Sequence, residues 1–338
     1  DGGCYLSKAC VVTSEPYAPD DIEASNVGIY RLMVMGPDSL AMQLGRNHDA
    51  AEHVAQAEKE GIALPIAVCL GNDPLLSFMA STPLPYHESE YYRAAAFGGF
   101  TYPLARSQID GLPIPANCEY VLEGEVVPRS RVFEGPFGEF PGTYSGCGYK
   151  LEVKVKRVTH RHDPVLESLY IGFPWTESDT MTAINTSVHM YQQVKADFPE
   201  IVAVNALYQH GTTIIASTRQ RIPGQAKIIA CRLASTSHGS FFARNIFMVD
   251  EFVDPFNLEQ VMWALSTRVR SCDISFIDAV PGNALLPSSA ADGLDRKMIV
   301  DATTPVAPDH LKPNKIVMPE PQVGLRKEVI RSLQDARS

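Results

Sequence analysis

The amino-acid sequence predicts a chain of mixed α+β and α/β class, with a β-rich segment over residues 1–160, an α/β segment over 161–305 and an arm over 306–338. Apolar and polar residues alternate with period two in the first segment, which is typical of half-buried strands. Helix and strand patterns alternate in the second, which indicates helices packed on a sheet. The arm is Pro-rich over 306–325 and amphipathic over 322–338, so we expect a linker and then a helix that docks elsewhere, often on another subunit.

The elements of the first segment follow from local patterns. The predicted strands cover residues 5–13, 26–35, 64–69, 117–127 and 148–160, and the predicted helices cover 49–60 and 89–99. The helix over 49–60 is rich in Ala and Glu, and Gly61 supplies its stop signal. The apolar run at 64–69 predicts a buried strand. A Gly- and Pro-rich turn segment at 134–146 separates the last two strands.

The second segment alternates more regularly. Helices are predicted over 182–200, 223–236 and 257–269, and strands over 201–209, 212–218 and 243–254. This order predicts a second layer of helices against a sheet. No internal repeat of fixed period is present.

Composition and charge exclude several classes of protein. Of the 338 residues, 45% are apolar and 20% are charged, ordinary globular values that exclude long disorder, collagen and coiled coils. The net charge of −10, without a Lys/Arg block, argues against a nucleic-acid binder, and an acidic surface is repelled by anionic membranes. Seven scattered cysteines, with no C-x-x-C pair, predict reduced thiols and a cytoplasmic location.

The start of the chain carries a further expectation. It begins at Asp1 rather than Met, strand-like sequence follows at once, and no signal-peptide pattern is present. We therefore expect that upstream sequence is missing from this chain. No apolar run reaches the roughly 18 residues of a membrane span.

Two glutamates in the turn segment form the strongest local signal. Glu134 and Glu139 enclose Gly-Pro-Phe-Gly, and these small and rigid residues make a straight strand unfavourable. A tight turn brings both carboxylates to one site, where repulsion raises one pKa and creates a proton donor near neutral pH. The alternative is a surface turn with two solvated acids.

Arg31 is the second signal, because it lies in an otherwise apolar run, VGIYRLMVM. An arginine there either pairs with an anion or points outward at a sheet edge. A buried arginine suits a carboxylate, since its fork matches two oxygens.

Asn26, His48 and Glu90 form a third, weaker set of possible metal ligands. They lie on separate predicted elements, so their spacing gives no support. His48 precedes a helix and is equally interpretable as a cap or surface residue. As nitrogen and oxygen donors, the three suit Mn²⁺ or Mg²⁺ better than a structural zinc.

The sequence lacks G-x-x-x-x-G-K-[ST], G-x-S-x-G and H-E-x-x-H motifs, and its glycines form no dinucleotide fingerprint. Asn26-x4-Arg31, His48, Glu90 and Glu134-Gly-Pro-Phe-Gly-Glu139 instead resemble the UbiD family of decarboxylases in order and approximate spacing. The downstream segments PGQAK, MVDEFVDPFNLEQVMWALSTR and KMIVDATTPVAPD are also similar to that family. LYIGFPWTESD, DPFN and ATTPVAPD resemble its hydroxyarylic acid branch, which acts on 4-hydroxybenzoate, vanillate, protocatechuate and gallate.

The resemblance implies a set of site residues. It implies that Arg31, Glu134 and Glu139 are catalytic, and that Asn26, His48 and Glu90 bind a divalent metal, Mn²⁺, that bridges to the cofactor phosphate. It also implies that K⁺ binds near Ala80, Ser81 and Glu90. The prenylated-FMN-binding residues that it implies are Asn26, Val27, Gly28, Ile29, Tyr30, Arg31, Asn47, His48, Pro83 and Glu90.

The implied activity is reversible, non-oxidative decarboxylation of a hydroxylated aromatic acid. Loss of CO₂ leaves electron density on a ring carbon, and a bound cofactor supplies the sink because no Schiff-base lysine or thiamine motif is visible. Arg31 would hold the substrate carboxylate, Glu134 would orient Arg31, and Glu139 would deliver the proton. The residues that contact the ring hydroxyls are not assigned; Tyr170, Trp175, His189 and His210 are guesses.

The resemblance further implies a split β-barrel flavin-binding domain over 1–160, an α/β oligomerisation domain over 161–305 and a C-terminal arm helix. It implies a dimer or hexamer, and a flavin prenyltransferase partner that makes the cofactor. Family members also carry an N-terminal α/β domain, which is missing here, and a lysine where this chain has Arg244. Whether Arg244 replaces that lysine stays open.

Three other functions remain open from the sequence. An FMN-dependent reductase or oxidase would use NAD(P)H and would not need the second glutamate. A catalytically inactive scaffold paralogue would fold without turnover, although the intact Arg–Glu–Glu set argues against it. A metal hydrolase using Asn26, His48 and Glu90 would act without flavin.

Overall fold

The computed structural model describes residues 1–45, 48–173, 175–208, 210–289 and 293–306. Asn47 and the helix predicted over 322–338 therefore lie outside the described residues, as does all but the start of the Pro-rich arm. Over the described ranges, no helix combines the length and apolar character that crossing a membrane requires.

An eight-stranded antiparallel sheet forms the first part of the molecule, with the order β1-β4-β5-β10-β9-β6-β2-β3. Its strands are β1 (Tyr5–Leu6), β2 (Cys10–Ser14), β3 (Ser25–Ile29), β4 (Leu32–Gly36), β5 (Ser39–Met42), β6 (Leu64–Leu70), β9 (Tyr120–Glu134) and β10 (Gly148–His160). A separate hairpin pairs β7 (Leu104–Arg106) with β8 (Pro113–Pro115). Closure of the sheet into a split barrel, and a domain boundary after residue 160, stay predictions.

Helices cover both faces of this sheet: α1 (Asp49–Glu60), α2 (Pro74–Ala80) and α3 (Glu90–Gly98). Ile66 and Val68 pack in a core with Val54 of α1, whereas Ala67 and Cys69 pack in a second core with Leu76 of α2. Strand side chains alternate between faces, so a strand that is buried on both sides reads as a continuous apolar run. The buried strand predicted at 64–69 is therefore confirmed as β6.

The strand predicted over 26–35 is wrong as a single element. The backbone leaves the ladder after Ile29 and rejoins it at Leu32, so β3 and β4 are separate strands. In the hydrogen-bonded order β3 is the last strand at one end and β4 is the second strand from the other end, with five strands between them. Arg31 thus occupies the link between two strands rather than the interior of one.

A five-stranded mixed sheet forms the second part, with the order β11-β12-β13-β15-β14. Its strands are β11 (Ile201–Tyr208), β12 (Thr213–Thr218), β13 (Asn245–Asp250), β14 (Ile274–Pro281) and β15 (Leu294–Ala302). The three central strands are parallel and the two outer strands antiparallel. The helices are α4 (Glu177–Asp197), α5 (Gln225–Ala234), α6 (Ser237–Phe241) and α7 (Leu258–Arg268).

The two sides of this second sheet have different partners. Met190 of α4 and Ile229 of α5 pack with Ile214 and Ile246 in one core, and Val261 of α7 packs with Ile215 in the other. The three helices predicted here are confirmed with shifted ends. The sequence patterns missed the short helices α2 and α6, the strand β5, and the last two strands of the sheet.

Replacement of Leu32 by alanine should destabilise the protein strongly. Leu32 is fully buried at the start of β4, so truncation leaves a cavity in the first core, at a cost of about 2–5 kcal/mol in the free energy of unfolding. Val34 is 40% exposed on the same strand, and Val34→Ala should change stability by less than about 0.5 kcal/mol. Urea denaturation measures both variants, and equal losses would contradict the buried placement of Leu32.

Candidate functional site

Arg31 lies between the two glutamates that the sequence singled out. Its Nε donates to Glu134 Oε1 at 3.0 Å and its Nη2 donates to Glu134 Oε2 at 3.2 Å, which forms a bidentate pair. Its Nη1 donates to Glu139 Oε1. Glu134 is fully buried, and the side chains of Arg31 and Glu139 are each 12% exposed. The solvated-acid and edge-arginine alternatives are therefore wrong.

Local structure explains this convergence. Arg31 leaves the sheet at the break between β3 and β4, and Glu134 is the last residue of β9. The chain then turns, and a bridge between Gly138 and Tyr144 folds the segment back so that Glu139 faces Arg31. Residues on both sides of the turn therefore reach one guanidinium, although 108 positions separate Arg31 from Glu139.

Neighbouring side chains fix the position of the guanidinium. Its Cζ lies 4.9 Å from the ring centroid of Phe137, which in turn contacts the ring of Tyr5. Tyr5 donates its hydroxyl to Glu134 Oε1 at 3.1 Å, and Ser145 Oγ accepts from Arg31 Nη2 at 3.3 Å. Burial and the Glu134 charge raise the pKa of Tyr5 to about 12, so Tyr5 remains a donor.

The pKa of Glu139 is raised above its ordinary value, chiefly because the carboxyl is buried. The charges of Arg31 and His210 oppose that rise without cancelling it, and repulsion from Glu134 adds a small contribution. The pKa of one of the two glutamates is therefore raised, as predicted. The main cause is desolvation of Glu139 rather than repulsion between the paired acids.

An open cavity of about 700 Å³ lies beside Glu139. Tyr5, Phe137 and Gly138 line one part of it, and Tyr170 and Phe173 of the segment before α4 line another. Its volume is in the range of small-ligand sites, and its walls combine aromatic rings with several polar groups. A small aromatic molecule would fit there against the Glu139 carboxyl.

A second cluster surrounds the Tyr30 ring, next to Arg31 in the chain. Asn26 Nδ2 donates to the Tyr30 hydroxyl at 3.4 Å, and the His48 ring meets the Tyr30 ring edge-on at 5.5 Å between centroids. Glu90 Oε2 accepts from the backbone N–H of Val27 at 3.0 Å. The structure therefore brings Asn26, His48 and Glu90 to one end of β3, although they come from three separate elements.

Glu90 is buried without a countercharge. It is 5% exposed, and among the described residues it forms no ion pair. Burial raises its pKa to about 7, and the hydrogen bond from Val27 offsets only part of that rise. The hydroxyl of the preceding residue, Ser89, is also buried without a hydrogen-bond partner in the described part of the chain. A bound cation would satisfy such a carboxylate, so this oxygen and nitrogen donor set fits a hard or intermediate divalent ion.

In the described part of the chain, His, Cys, Asp and Glu side chains do not cluster into a metal centre by themselves. No group of three such side chains is close enough to hold an ion in the described ranges. The Asn26, His48 and Glu90 set includes an amide and only two residues of those types. Binding of Mn²⁺ there is consequently a proposal that rests on the buried Glu90.

The other predicted cofactor-contacting residues lie around this cluster. Val27 and Gly28 are buried in β3 and Ile29 is half-buried at its end. A Cβ on Gly28 would lie 2.4 Å from the Tyr30 hydroxyl, so only glycine lets that ring fold back over the strand. Pro83 is half-buried between α2 and α3. Asn47 lies outside the described residues.

Ala80 and Ser81, which the family resemblance places near K⁺, lie at the C-terminal end of α2. Ser81 Oγ donates to the carbonyl of Phe78 at 2.8 Å and accepts from Asn185 Nδ2 at 3.0 Å. Asn185 belongs to α4, so a polar contact joins the two parts of the molecule here. Binding of K⁺ stays a prediction.

Arg244 pairs within the second sheet. Its Nε lies 2.8 Å from Asp295 Oδ2, and its Nη2 donates to Asp295 Oδ1 at 3.1 Å. Its Nη1 donates to Ser288 Oγ at 2.5 Å. These contacts occupy the guanidinium with protein partners, and whether Arg244 also contacts a cofactor stays a prediction.

Sequence reasoning gave Asp179 no role and offered His210 only as a guess for a contact with the ring hydroxyls, but the two side chains form a pair near Glu139. His210 donates its Nδ1–H to Asp179 Oδ1 at 3.1 Å, and its ring stacks on Phe140 at 4.3 Å between centroids. His238 Nε2 donates to the backbone carbonyl of His210 at 2.6 Å. The three residues come from α4, the β11–β12 loop and α6, so no spacing in the sequence could have revealed them.

Comparison with known proteins identifies the family. Residues 1–174 match the family model of the UbiD 3-octaprenyl-4-hydroxybenzoate carboxy-lyase Rift-related domain, and residues 179–302 match that of the corresponding C-terminal domain. The chain belongs to the UbiD family. The resemblance stated from the sequence motifs is therefore confirmed.

Individual UbiD relatives agree with this placement. A phenolic acid decarboxylase of Sedimentibacter hydroxybenzoicus is 51% identical over 312 residues, which cover 91% of this chain and 65% of the relative. The vanillic acid decarboxylase structure from that organism, in its closed form, aligns with a TM-score of 0.88 at 48% identity, over 98% of this chain and 71% of that one.

A more distant UbiD-class structure is also similar. An evolved dimeric form of HmfF from Pelotomaculum thermopropionicum, in complex with prFMN, has a TM-score of 0.79 at 26% identity, over 96% of this chain and 69% of that one. The chain spans about two thirds of the length of the UbiD relatives that it matches.

The pH dependence of stability should report the buried His238. Burial lowers its pKa to about 4 in the folded state, against 6.5 for an exposed imidazole. The unfolded chain binds a proton that the folded chain does not between these values, so stability falls as the pH drops from 6.5 to 4. One such group contributes up to about 1.4 kcal/mol per pH unit.

His238→Gln keeps a side-chain donor and should flatten this acid-side loss in denaturation curves measured at several pH values. The slope should decrease rather than vanish, because burial also lowers the pKa of His53 to about 4. His162→Gln is the control, since that side chain is fully exposed. An unchanged slope in His238→Gln would show that His238 titrates normally.

Proposed function

We propose that this protein catalyses the reversible, non-oxidative decarboxylation of a hydroxylated aromatic carboxylic acid. One observation carries the proposal: a nearly buried arginine is held between two glutamates, and one of them, Glu139, lines a cavity large enough for an aromatic acid. The names of the relatives support the substrate class, since they are phenolic acid and vanillic acid decarboxylases.

Arg31 holds the substrate carboxylate in this proposal. A guanidinium matches two carboxylate oxygens, and its partners here leave it able to exchange Glu139 for a substrate. Glu134 cannot leave, because it is fully buried and paired in bidentate geometry with Arg31. Glu134 therefore orients Arg31 and balances its charge.

Glu139 serves as the proton donor. It lines the cavity, whereas Glu134 does not, and burial keeps its pKa above that of an ordinary glutamate. A carboxyl group with a raised pKa retains a proton that it can give to the ring carbon that CO₂ leaves. Substrate binding to Arg31 would release Glu139 from its ion pair and favour the protonated form further.

We propose prenylated FMN as the cofactor, as in the prFMN complex of the HmfF relative. The prenylated flavin, when bound, supplies the sink for the electron density that remains after CO₂ is lost. Val27, Gly28, Ile29, Tyr30 and Pro83 would line it, together with Asn47. Asn26, His48 and Glu90 would hold Mn²⁺ against its phosphate, and K⁺ would lie near Ser81.

The assembly is also part of the proposal. A flavin prenyltransferase would supply the cofactor, the α/β segment over 161–305 would form a homodimer or hexamer, and the first sheet would form the split barrel.

Replacement of Glu139 by glutamine should abolish CO₂ release while the flavin stays bound. The amide keeps the shape and a hydrogen bond but carries no transferable acid proton, so turnover should fall at least about 10²-fold. The full-length protein, co-expressed with a flavin prenyltransferase and purified without oxygen, is assayed on 4-hydroxybenzoate, vanillate, protocatechuate and gallate. Native mass spectrometry of each preparation measures cofactor occupancy.

Glu125→Gln is the matched control, because Glu125 lies on the same strand as Glu134 and pairs with Lys156 at the surface. Its activity should equal that of the parent protein. Full activity of Glu139→Gln with normal flavin would exclude Glu139 as the donor. A parent protein that holds ordinary FMN and oxidises NAD(P)H would replace the proposal with the reductase alternative.

Loss of the metal ligands should remove metal and flavin together. His48→Ala and Glu90→Gln each take away one of the three proposed ligands, so Mn²⁺ content and flavin occupancy should fall in parallel. Elemental analysis and the flavin absorbance spectrum measure the two quantities. His160→Ala changes an exposed histidine and should retain both. Normal flavin occupancy in a metal-free His48→Ala protein would rule out the metal bridge.

A further inference from the structure

His210 is held in a backbone conformation that few residues adopt. Its φ is 58°, in the left-handed region, although it is not glycine. His238 donates to its carbonyl, and burial lowers the pKa of His238 to about 4, so that ring stays neutral and acts as a fixed donor. A non-glycine residue persists in this region only when its surroundings determine it, and such positions cluster at functional sites.

Neighbouring side chains also hold the His210 imidazole in place. Its Nδ1–H is bound by Asp179, which is 1% exposed. Burial would raise the pKa of Asp179, but the hydrogen bonds from His210 and Thr176 outweigh it and lower that pKa, so Asp179 stays a carboxylate acceptor. Phe140 covers one side of the ring at 4.3 Å and Phe242 stacks at 6.5 Å.

These contacts leave one part of the ring available. The His210 side chain is 17% exposed, and its Nε2 has no hydrogen-bond partner within the described ranges. Asp179 fixes the tautomer and rotation of the imidazole, so Nε2 is the nitrogen that can exchange a proton. An imidazole that only filled space in the core would not need a hydrogen bond to a buried carboxylate.

His210 lies near Glu139 in the folded chain. Phe140, on which the ring stacks, directly follows Glu139, and the charge of His210 favours the carboxylate form of Glu139. Arg31, Glu134 and His210 are charged groups that act on Glu139, and the Asp1 carboxylate lines the same cavity and accepts from the N–H of Gly138. The charged groups that face His210 are Asp179 and Glu139, with the neutral His238 behind its carbonyl.

We propose that His210, oriented by Asp179, is a positioning residue that returns a proton to Glu139 between turnovers. This inference rests on the proposed function, in which Glu139 gives its carboxyl proton to the ring carbon. The imidazolium form of His210 then transfers the Nε2 proton to the Glu139 carboxylate. Neutral His210, which is partly exposed, takes a proton from solvent, and its Nδ1–H remains with Asp179 throughout, so each cycle consumes one solvent proton.

The structure suggests His210→Gly as the test substitution. Glycine adopts the left-handed conformation without strain, and its missing ring leaves a space that free imidazole can enter. In the holoenzyme, kcat for vanillate or the best substrate should fall about tenfold or more while KM stays within about twofold, since substrate binding is untouched. Millimolar imidazole should restore kcat, with a pH profile that follows the added base.

Two further variants separate this role from packing. Asp179→Asn should lower kcat in the same direction, because an amide no longer favours the imidazolium. His87→Gly is the matched control, as His87 also has a positive φ, 66°, but is exposed. It should leave kcat and its pH profile unchanged. A His210→Gly enzyme that unfolds earlier but keeps its pH profile, without imidazole rescue, would show that His210 only packs.

A measurement without cofactor keeps the inference independent of the proposed function. Infrared difference spectra of the flavin-free protein, with Glu139→Gln as the reference, follow the Glu139 carboxyl as the pH is varied. His210→Gly should raise the pKa of Glu139 above that of the parent, because a favourable positive neighbour is lost. An unchanged Glu139 titration would overturn the inference. A wild-type enzyme that fails to release CO₂, with the titration shifted as expected, would refute only the decarboxylase function.

Discussion

The site depends on the buried ion pair between Arg31 and Glu134. A guanidinium removed from water is stable only with a carboxylate in good geometry, and the bidentate contact with the fully buried Glu134 provides that. The pair joins the link between β3 and β4 to the end of β9. Because Arg31 is fixed in this way, a second acid can approach it from the turn and still exchange with a ligand.

The two glutamates therefore differ in environment rather than in chemistry. Glu134 accepts two hydrogen bonds from Arg31 and one from Tyr5. Glu139 accepts a hydrogen bond from a single nitrogen of the Arg31 guanidinium and lines the cavity. Glu134 is thus a fixed counter-ion of Arg31, whereas Glu139 is an acid that a ligand can displace. The same difference explains why burial dominates the pKa of Glu139, since its polar contacts are too few to offset desolvation.

Much of this arrangement could be predicted from the sequence, because local sequence patterns mark each of the residues that form it. Arg31 interrupts an apolar run, and Glu134 and Glu139 enclose a turn of small and rigid residues, so local chemistry marks all three. The break between β3 and β4 was not visible, because the residues on both sides have strand character. The sequence could not show that Asp179, His210 and His238 lie together, since only tertiary packing brings a helix, a loop and a second helix into contact.

The contact between Gly28 and Tyr30 limits how this part of the molecule can change during evolution. The tyrosine ring occupies the space where a side chain at position 28 would be, and its hydroxyl is the atom that such a side chain would meet first. A side chain at position 28 thus requires a residue smaller than tyrosine at position 30. The two positions should covary among relatives in that direction.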